Sequence, residues 1–181
     1  MRAASARVEG VEAGIERDAS SMRATVVLAV TGALIYVADQ VTKALVVASL
    51  DVGERVQVVG DLVWIWHLRN TGAAFSLLPG AIWLFIPITL VALGMVAWFH
   101  LQFRSRSPWI HVILGAILGG ALGNLTDRVR LGYVVDFVSV GIGDLRWPAF
   151  NVADPSVVIG IGLIVVYLTF FDGRGRREPA A

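Results

Sequence analysis

No cysteine occurs among the 181 residues, which excludes disulfides, thiol nucleophiles and thiolate-bound metals. Charge is scarce as well. Only 16% of residues are Asp, Glu, Lys or Arg, against about 25% in soluble domains. The net charge is +1, so no bulk field favours a nucleic-acid partner. The three histidines, His67, His100 and His111, are too scattered for a metal triad, and no metal or cofactor is expected. The chain is instead apolar: 56% of residues are hydrophobic and the mean hydropathy is +0.72. These residues gather in long blocks. An integral membrane protein is the first inference, with room for one compact domain of a few helices.

A membrane-crossing helix needs about 20 mostly apolar residues. Four stretches approach this, at about Ala24–Leu50, Ala81–Leu101, Pro108–Leu125 and Pro155–Phe171. Helix is the state in which their backbone groups pair internally. The first 22 residues mix Glu9, Glu12, Glu16 and Asp18 with Arg2, Arg7 and Arg17. That is unlike a secretory signal and predicts a poorly ordered cytoplasmic leader. Residues 23–172 then form the four-span domain, and residues 173–181 a cytoplasmic tail with Arg174, Arg176 and Arg177. Four spans put both termini on one side. The leader with Arg23, the turn with Arg104 and Arg106, and the tail carry nine basic residues, against six elsewhere. This places the termini in the cytoplasm.

The two segments on the other side are more than linkers. Between Arg55 and Arg69, apolar residues alternate (Val56 and Val58, then Leu62, Trp64, Trp66 and Leu68) around a Gly60-Asp61 turn signal. The pattern predicts a short hairpin with tryptophans near the headgroups. Gly132 to Trp147 also alternates, through Val134, Asp136, Val138 and Val140.

Ionisable residues in or beside a span mark candidate sites. Asp39, Thr42 and Lys43 share one helix face, with acid before base. This reads first as an internal ion pair that makes burial tolerable. Gly115, Gly119 and Gly123 recur every four residues, a spacing that lets helices approach closely. Asn124, Asp127 and Arg128 continue along nearby faces, as interfacial caps or as braces of a site. Asp136 stands in an apolar run. Asp154, just before Pro155, taken alone reads as a helix cap with proline in the first helical position. Together the two acids suit water activation, because neighbouring carboxylates resist double ionisation.

Three rival readings arise. Gly141-Ile142-Gly143-Asp144 spells the GxGD of an intramembrane aspartic protease class, but reads more simply as a turn. Ser76 with Lys43 lacks any nucleophile-elbow context. A small transporter or proton relay would also use buried Asp and Lys, yet no repeated halves are visible.

Five blocks in order resemble signal peptidase II, the lipoprotein signal peptidase family. They are Asp39-Gln40-Val41-Thr42-Lys43, Asn70-Thr71-Gly72-Ala73-Ala74-Phe75-Ser76, Gly123-Asn124-Leu125-Thr126-Asp127-Arg128, Val134-Val135-Asp136-Phe137 and Phe150-Asn151-Val152-Ala153-Asp154. The resemblance covers about residues 25–172. It implies an all-α membrane protein of four transmembrane helices with a small extracytoplasmic β-cradle and a short interfacial helix. It implies a monomeric aspartic endopeptidase of the bacterial inner membrane, with its active site near the extracytoplasmic face. The substrate would be a diacylglyceryl-modified prolipoprotein, cut N-terminal to its lipidated cysteine, and membrane lipids would surround the enzyme. Asp136 and Asp154 match the catalytic pair. Asn70, Asn124, Arg128 and Asn151 match positions that line or support the site, and Asp39, Lys43 and Asp127 match supporting polar positions. Two features depart from the family pattern: the long leader, and Pro155 where serine is more usual.

Overall fold

In the computed structural model, residues 2–72, 82–103 and 107–170 are described. Helix α1 spans Arg2–Ser49. A hairpin follows, β1 at Arg55–Val59 and β2 at Val63–Asn70. Next come α2 at Ile82–Gln102 and α3 at Pro108–Leu131. Strands β3 at Val134–Ile142 and β4 at Leu145–Arg146 lead into α4 at Ala153–Phe170. All four helices hold a segment long and apolar enough to cross a membrane; in α1 it is Gly14–Ser49. The short interfacial helix implied by the resemblance is not among the elements of the described residues. The block residues 73–76, with Phe75 and Ser76, lie outside them.

Two boundaries differ from the sequence reading. The leader does not precede α1 but forms its first turns, because Ala, Glu and Arg are good helix formers. Helix α3 continues to Leu131, beyond the expected end at Leu125. Its polar last turns are met by protein groups rather than lipid, so hydropathy understates its length.

Helix α3 is the hub, packed against α1, α2 and α4. The core at its N-terminal end is Ile110, Leu114 and Ile117 against Val96, Phe103 and Ile164. The glycine spacing does what was expected of it. A Cβ at Gly115 would lie 2.6 Å from the Leu28 carbonyl oxygen, and one at Gly119 would collide with the Gly32 carbonyl. A Cβ at Gly123 would enter the Asp39 carboxylate. The seam therefore brings the α1 backbone and its acid directly onto α3.

The strands form one antiparallel sheet in the order β1-β2-β3-β4. Gly60 turns the first hairpin, with φ at +48°, and Gly143-Asp144 the second, with Gly143 at φ +56°. Trp64 is covered by protein. Its ring lies between the guanidinium groups of Arg55, 4.3 Å away, and Arg146, 3.6 Å away. Arg146 also donates to Ser139 Oγ and to the Asp61 carbonyl. Gly132 ends α3 in the left-handed region at φ +77°, its N–H donating to the Arg128 carbonyl. Glycine meets that conformation without a Cβ penalty. The chain then enters β3 two residues later, which sets Asp136 beside the end of α3.

Candidate active site

The site rests on a buried ionic core between α1 and α3. Lys43 Nζ lies 2.8 Å from Asp39 Oδ2 and 2.9 Å from Asp127 Oδ2, with all three side chains at most 4% exposed. Gln40 donates to Asp127 Oδ1 at 3.1 Å and to Asp39 Oδ2 at 3.2 Å. The remaining capacity of each acid goes to backbone. Asp39 Oδ1 accepts the N–H of Ala153 at 3.0 Å. Asp127 Oδ2 accepts the N–H of Val135 at 3.1 Å. The acids of this core thus hold the chain one residue before Asp154 and one residue before Asp136. Neither the sequence spacing nor the blocks disclosed this arrangement.

Lys43 also donates to Asn124 Oδ1 at 2.9 Å. An ammonium group can only donate, so it fixes the Asn124 amide with its oxygen inward. The Asn124 Nδ2 then points outward and donates to Asp154 Oδ1 at 2.8 Å. Asp154 Oδ2 accepts the Asn151 N–H at 3.0 Å, while Asn151 Oδ1 accepts the Asp154 N–H at 3.2 Å. This is the reciprocal geometry of a capping box. It corrects the reading of Asp154-Pro155 as cap and first helical residue. Asn151 is the cap, and Asp154 sits inside the first turn.

Asp136 lies on β3, opposite Leu68 of β2, and is 4% exposed. Its Oδ1 accepts from Asn151 Nδ2 and its Oδ2 from Asn70 Nδ2, each at 2.8 Å. Asn70 is oriented by the Gly72 N–H on its Oδ1 at 3.0 Å. Burial pushes the Asp136 carboxyl up to about 7, and the charge of Asp154 pushes the same way. The hydrogen bonds from Asn70 and Asn151 act against this rise. Fully buried Asn151 therefore touches both acids, through its side chain on Asp136 and its backbone on Asp154.

Asp136 and Asp154 share the wall of a cavity of about 470 Å³. Asn70, Asn124 and Arg128 complete its polar end, while Ile88, Ala92, Val157 and Ile161 line its apolar reach. The Arg128 guanidinium stands 5.2 Å from the centre of the Phe85 ring. A second cavity of about 440 Å³ meets the first at Asn70, Asp136 and the run Trp147, Pro148 and Ala149. That run carries no motif and was not singled out in the sequence.

Asp39, Lys43 and Asp127 stand behind the cavity rather than on it. His67 is separate on β2, with Nδ1 2.9 Å from the Leu50 carbonyl. His100 and His111 pair with each other, their Nδ1 atoms 3.2 Å apart. Asp144 is exposed in the second hairpin turn and lines neither cavity. Among the described residues no three His, Cys, Asp or Glu side chains gather as a metal site.

The family model described as Signal peptidase (SPase) II matches residues 31–170. A lipoprotein signal peptidase from Leifsonia xyli subsp. xyli is 39% identical, covering 94% of this chain and 81% of its own. One from Mycobacterium avium is 48% identical, covering 82% and 83% respectively. A solved structure titled as a bacterial membrane enzyme, obtained in meso at 2.3 Å resolution, superposes with a TM-score of 0.74 at 30% identity. That match covers 84% of this chain and 93% of the other.

Proposed function

The chain belongs to the signal peptidase II family, a multi-pass bacterial membrane peptidase, and from this we propose that it is an aspartic endopeptidase using Asp136 and Asp154. Its substrate is a prolipoprotein carrying a diacylglyceryl group, and the cut falls N-terminal to the lipidated cysteine. The observation that carries the reading is the double role of Asn151, which ties two acids from different elements to one cavity wall.

The chemistry needs one ionised and one protonated carboxyl. Asp154 accepts the backbone N–H of Asn151 at the α4 N-terminus, where the backbone dipoles favour an anion, and the side-chain amide of Asn124 from α3. It takes the proton from water. Asp136, raised to about 7 by burial and by Asp154, keeps its proton and donates it to the scissile carbonyl oxygen. The gem-diol intermediate collapses as Asp154 returns a proton to the leaving amine and Asp136 takes one back from a gem-diol hydroxyl, which restores both acids to their starting states. Arg128, Asn70 and Asn124 support the pair and the bound carbonyl, and the Lys43 core holds it from behind. With both termini cytoplasmic, the sheet end and the acids face the extracytoplasmic side.

The test is cleavage of a lipidated precursor by purified protein in detergent. Asp136→Asn and Asp154→Asn should each reduce kcat/KM by about 10³-fold or more. Asp144→Asn should leave it within about twofold. Activity lost in Asp144→Asn and kept in Asp136→Asn would favour the GxGD reading instead.

A further inference from the structure

The run from Arg146 to Phe150 is stitched to β3 at its ends and bare in its middle. The Trp147 N–H donates to the Val140 carbonyl at 2.8 Å, and the Phe150 N–H to the Val138 carbonyl at 3.0 Å. The Phe150 carbonyl accepts twice, from Phe137 at 3.0 Å and Val138 at 2.8 Å. Between them, neither the N–H nor the carbonyl of Ala149, nor the carbonyl of Pro148, has a partner among the described residues. Both residues are half-buried, where an unmet backbone group is costly. Proline has no N–H, so residue 148 presents only an acceptor. The run continues β4, which is an edge of the sheet. A free edge is the place where an extended peptide adds as a further strand.

The two cavities say which peptide. Their shared wall consists of Asn70, Asp136, Trp147, Pro148 and Ala149. On one side the lining is apolar, with Ile88, Val157 and Ile161. On the other it includes Ser139 and Arg146. A precursor has the matching asymmetry, with an apolar signal segment before the cut and a polar chain after it. A backbone running from one cavity to the other passes Ala149 beside Asp136.

We infer that Pro148 and Ala149 form a docking edge for the precursor backbone, pairing with it in extended form and holding the scissile carbonyl against the two acids. The inference rests on the peptidase reading above. Ala149 acts through its N–H and carbonyl, so its side chain is incidental. That explains why no motif marks it.

The experiment is an ester scan on the unaltered enzyme. Lipidated precursors carry one backbone N–H replaced by an ester oxygen, at each position within two residues of the cut except the scissile amide. Products are identified by mass. Replacement at one position should lower kcat/KM about five- to tenfold, the scale of one hydrogen bond, with the others within about twofold. Ala149→Pro removes the protein's own donor and should cost a similar factor at unchanged thermal stability, whereas Ala149→Gly should not. A flat scan overturns the inference, whether or not Ala149→Pro folds. So does a position-specific loss beside a folded Ala149→Pro enzyme of wild-type activity. If the all-amide precursor is itself left intact, the peptidase reading falls and the inference falls with it.

Discussion

Asn70 illustrates how one side chain sets a pH dependence. Its Nδ2 donates to Asp136 Oδ2, and such a bond stabilises the anion. It therefore opposes the burial that raises Asp136 to about 7. In the proposed mechanism Asp136 works protonated, so kcat/KM should fall as pH rises through about 7. Asn70→Ala removes the opposing bond. Its alkaline midpoint should move above that of the wild type even as the rate drops. A pH–rate profile of both enzymes checks the sign; an unmoved or lowered midpoint contradicts the assigned proton. Lys43 makes a second case. Lys43→Met leaves Asp39 and Asp127 buried without their cation, a loss of about 3–5 kcal/mol when one partner of a buried pair is removed. Thermal unfolding in detergent should show a large drop in Tm. The sequence made the acids, and the spacing of Asp39 from Lys43, legible. It could not show Asp39 reaching the backbone at residue 153, because that bond joins positions 114 residues apart, nor Asp127 reaching residue 135, because that bond depends on how the chain turns at Gly132 between α3 and β3.

At the element level, the four spans, the first hairpin and the alternation of the segment after Gly132 were readable, since lipid demands long apolar runs and strands alternate. Their ends were less so. Helix α3 outlasts its apolar stretch because Asn124, Asp127 and Arg128 find protein partners. The cap of α4 moved from Asp154 to Asn151 because a capping box needs the residue three before the acid. The glycine seam was legible in spacing, and the structure supplies its partner, Gly32. Gly119→Ala places a Cβ into the Gly32 carbonyl, and backbone cannot yield as a side-chain tip does. Overpacking of this kind costs about 1–3 kcal/mol. The variant should lose stability in thermal unfolding. Activity should fall too, since the same seam seats Asp39 against Gly123. Gly94→Ala, where a Cβ meets nothing within 4 Å, serves as the control and should be neutral.

For the molecule as a whole, composition gives the number of crossings, while the charge count supports a proposal for the side. An even number of crossings fixes both helical ends, α1's start and α4's close, on one side and the sheet on the other. The proposed orientation rests on the basic residues flanking the spans, and the proposed function requires the acids to face the side on which lipidated precursors present their cysteine. The chain offers a clean way to test this, because it has no cysteine of its own. Gly10 near the start of α1 and Asp144 in the second hairpin turn are both exposed. Single replacements Gly10→Cys and Asp144→Cys each create one thiol on opposite sides of the bilayer. Intact cells treated with a membrane-impermeant maleimide should label Asp144→Cys and spare Gly10→Cys, and disrupted cells should label both. Both variants should still cut the precursor, since neither residue lines a cavity. The inverse labelling pattern would turn the molecule over. It would put Asp136 and Asp154 on the face where the proposed cut does not occur.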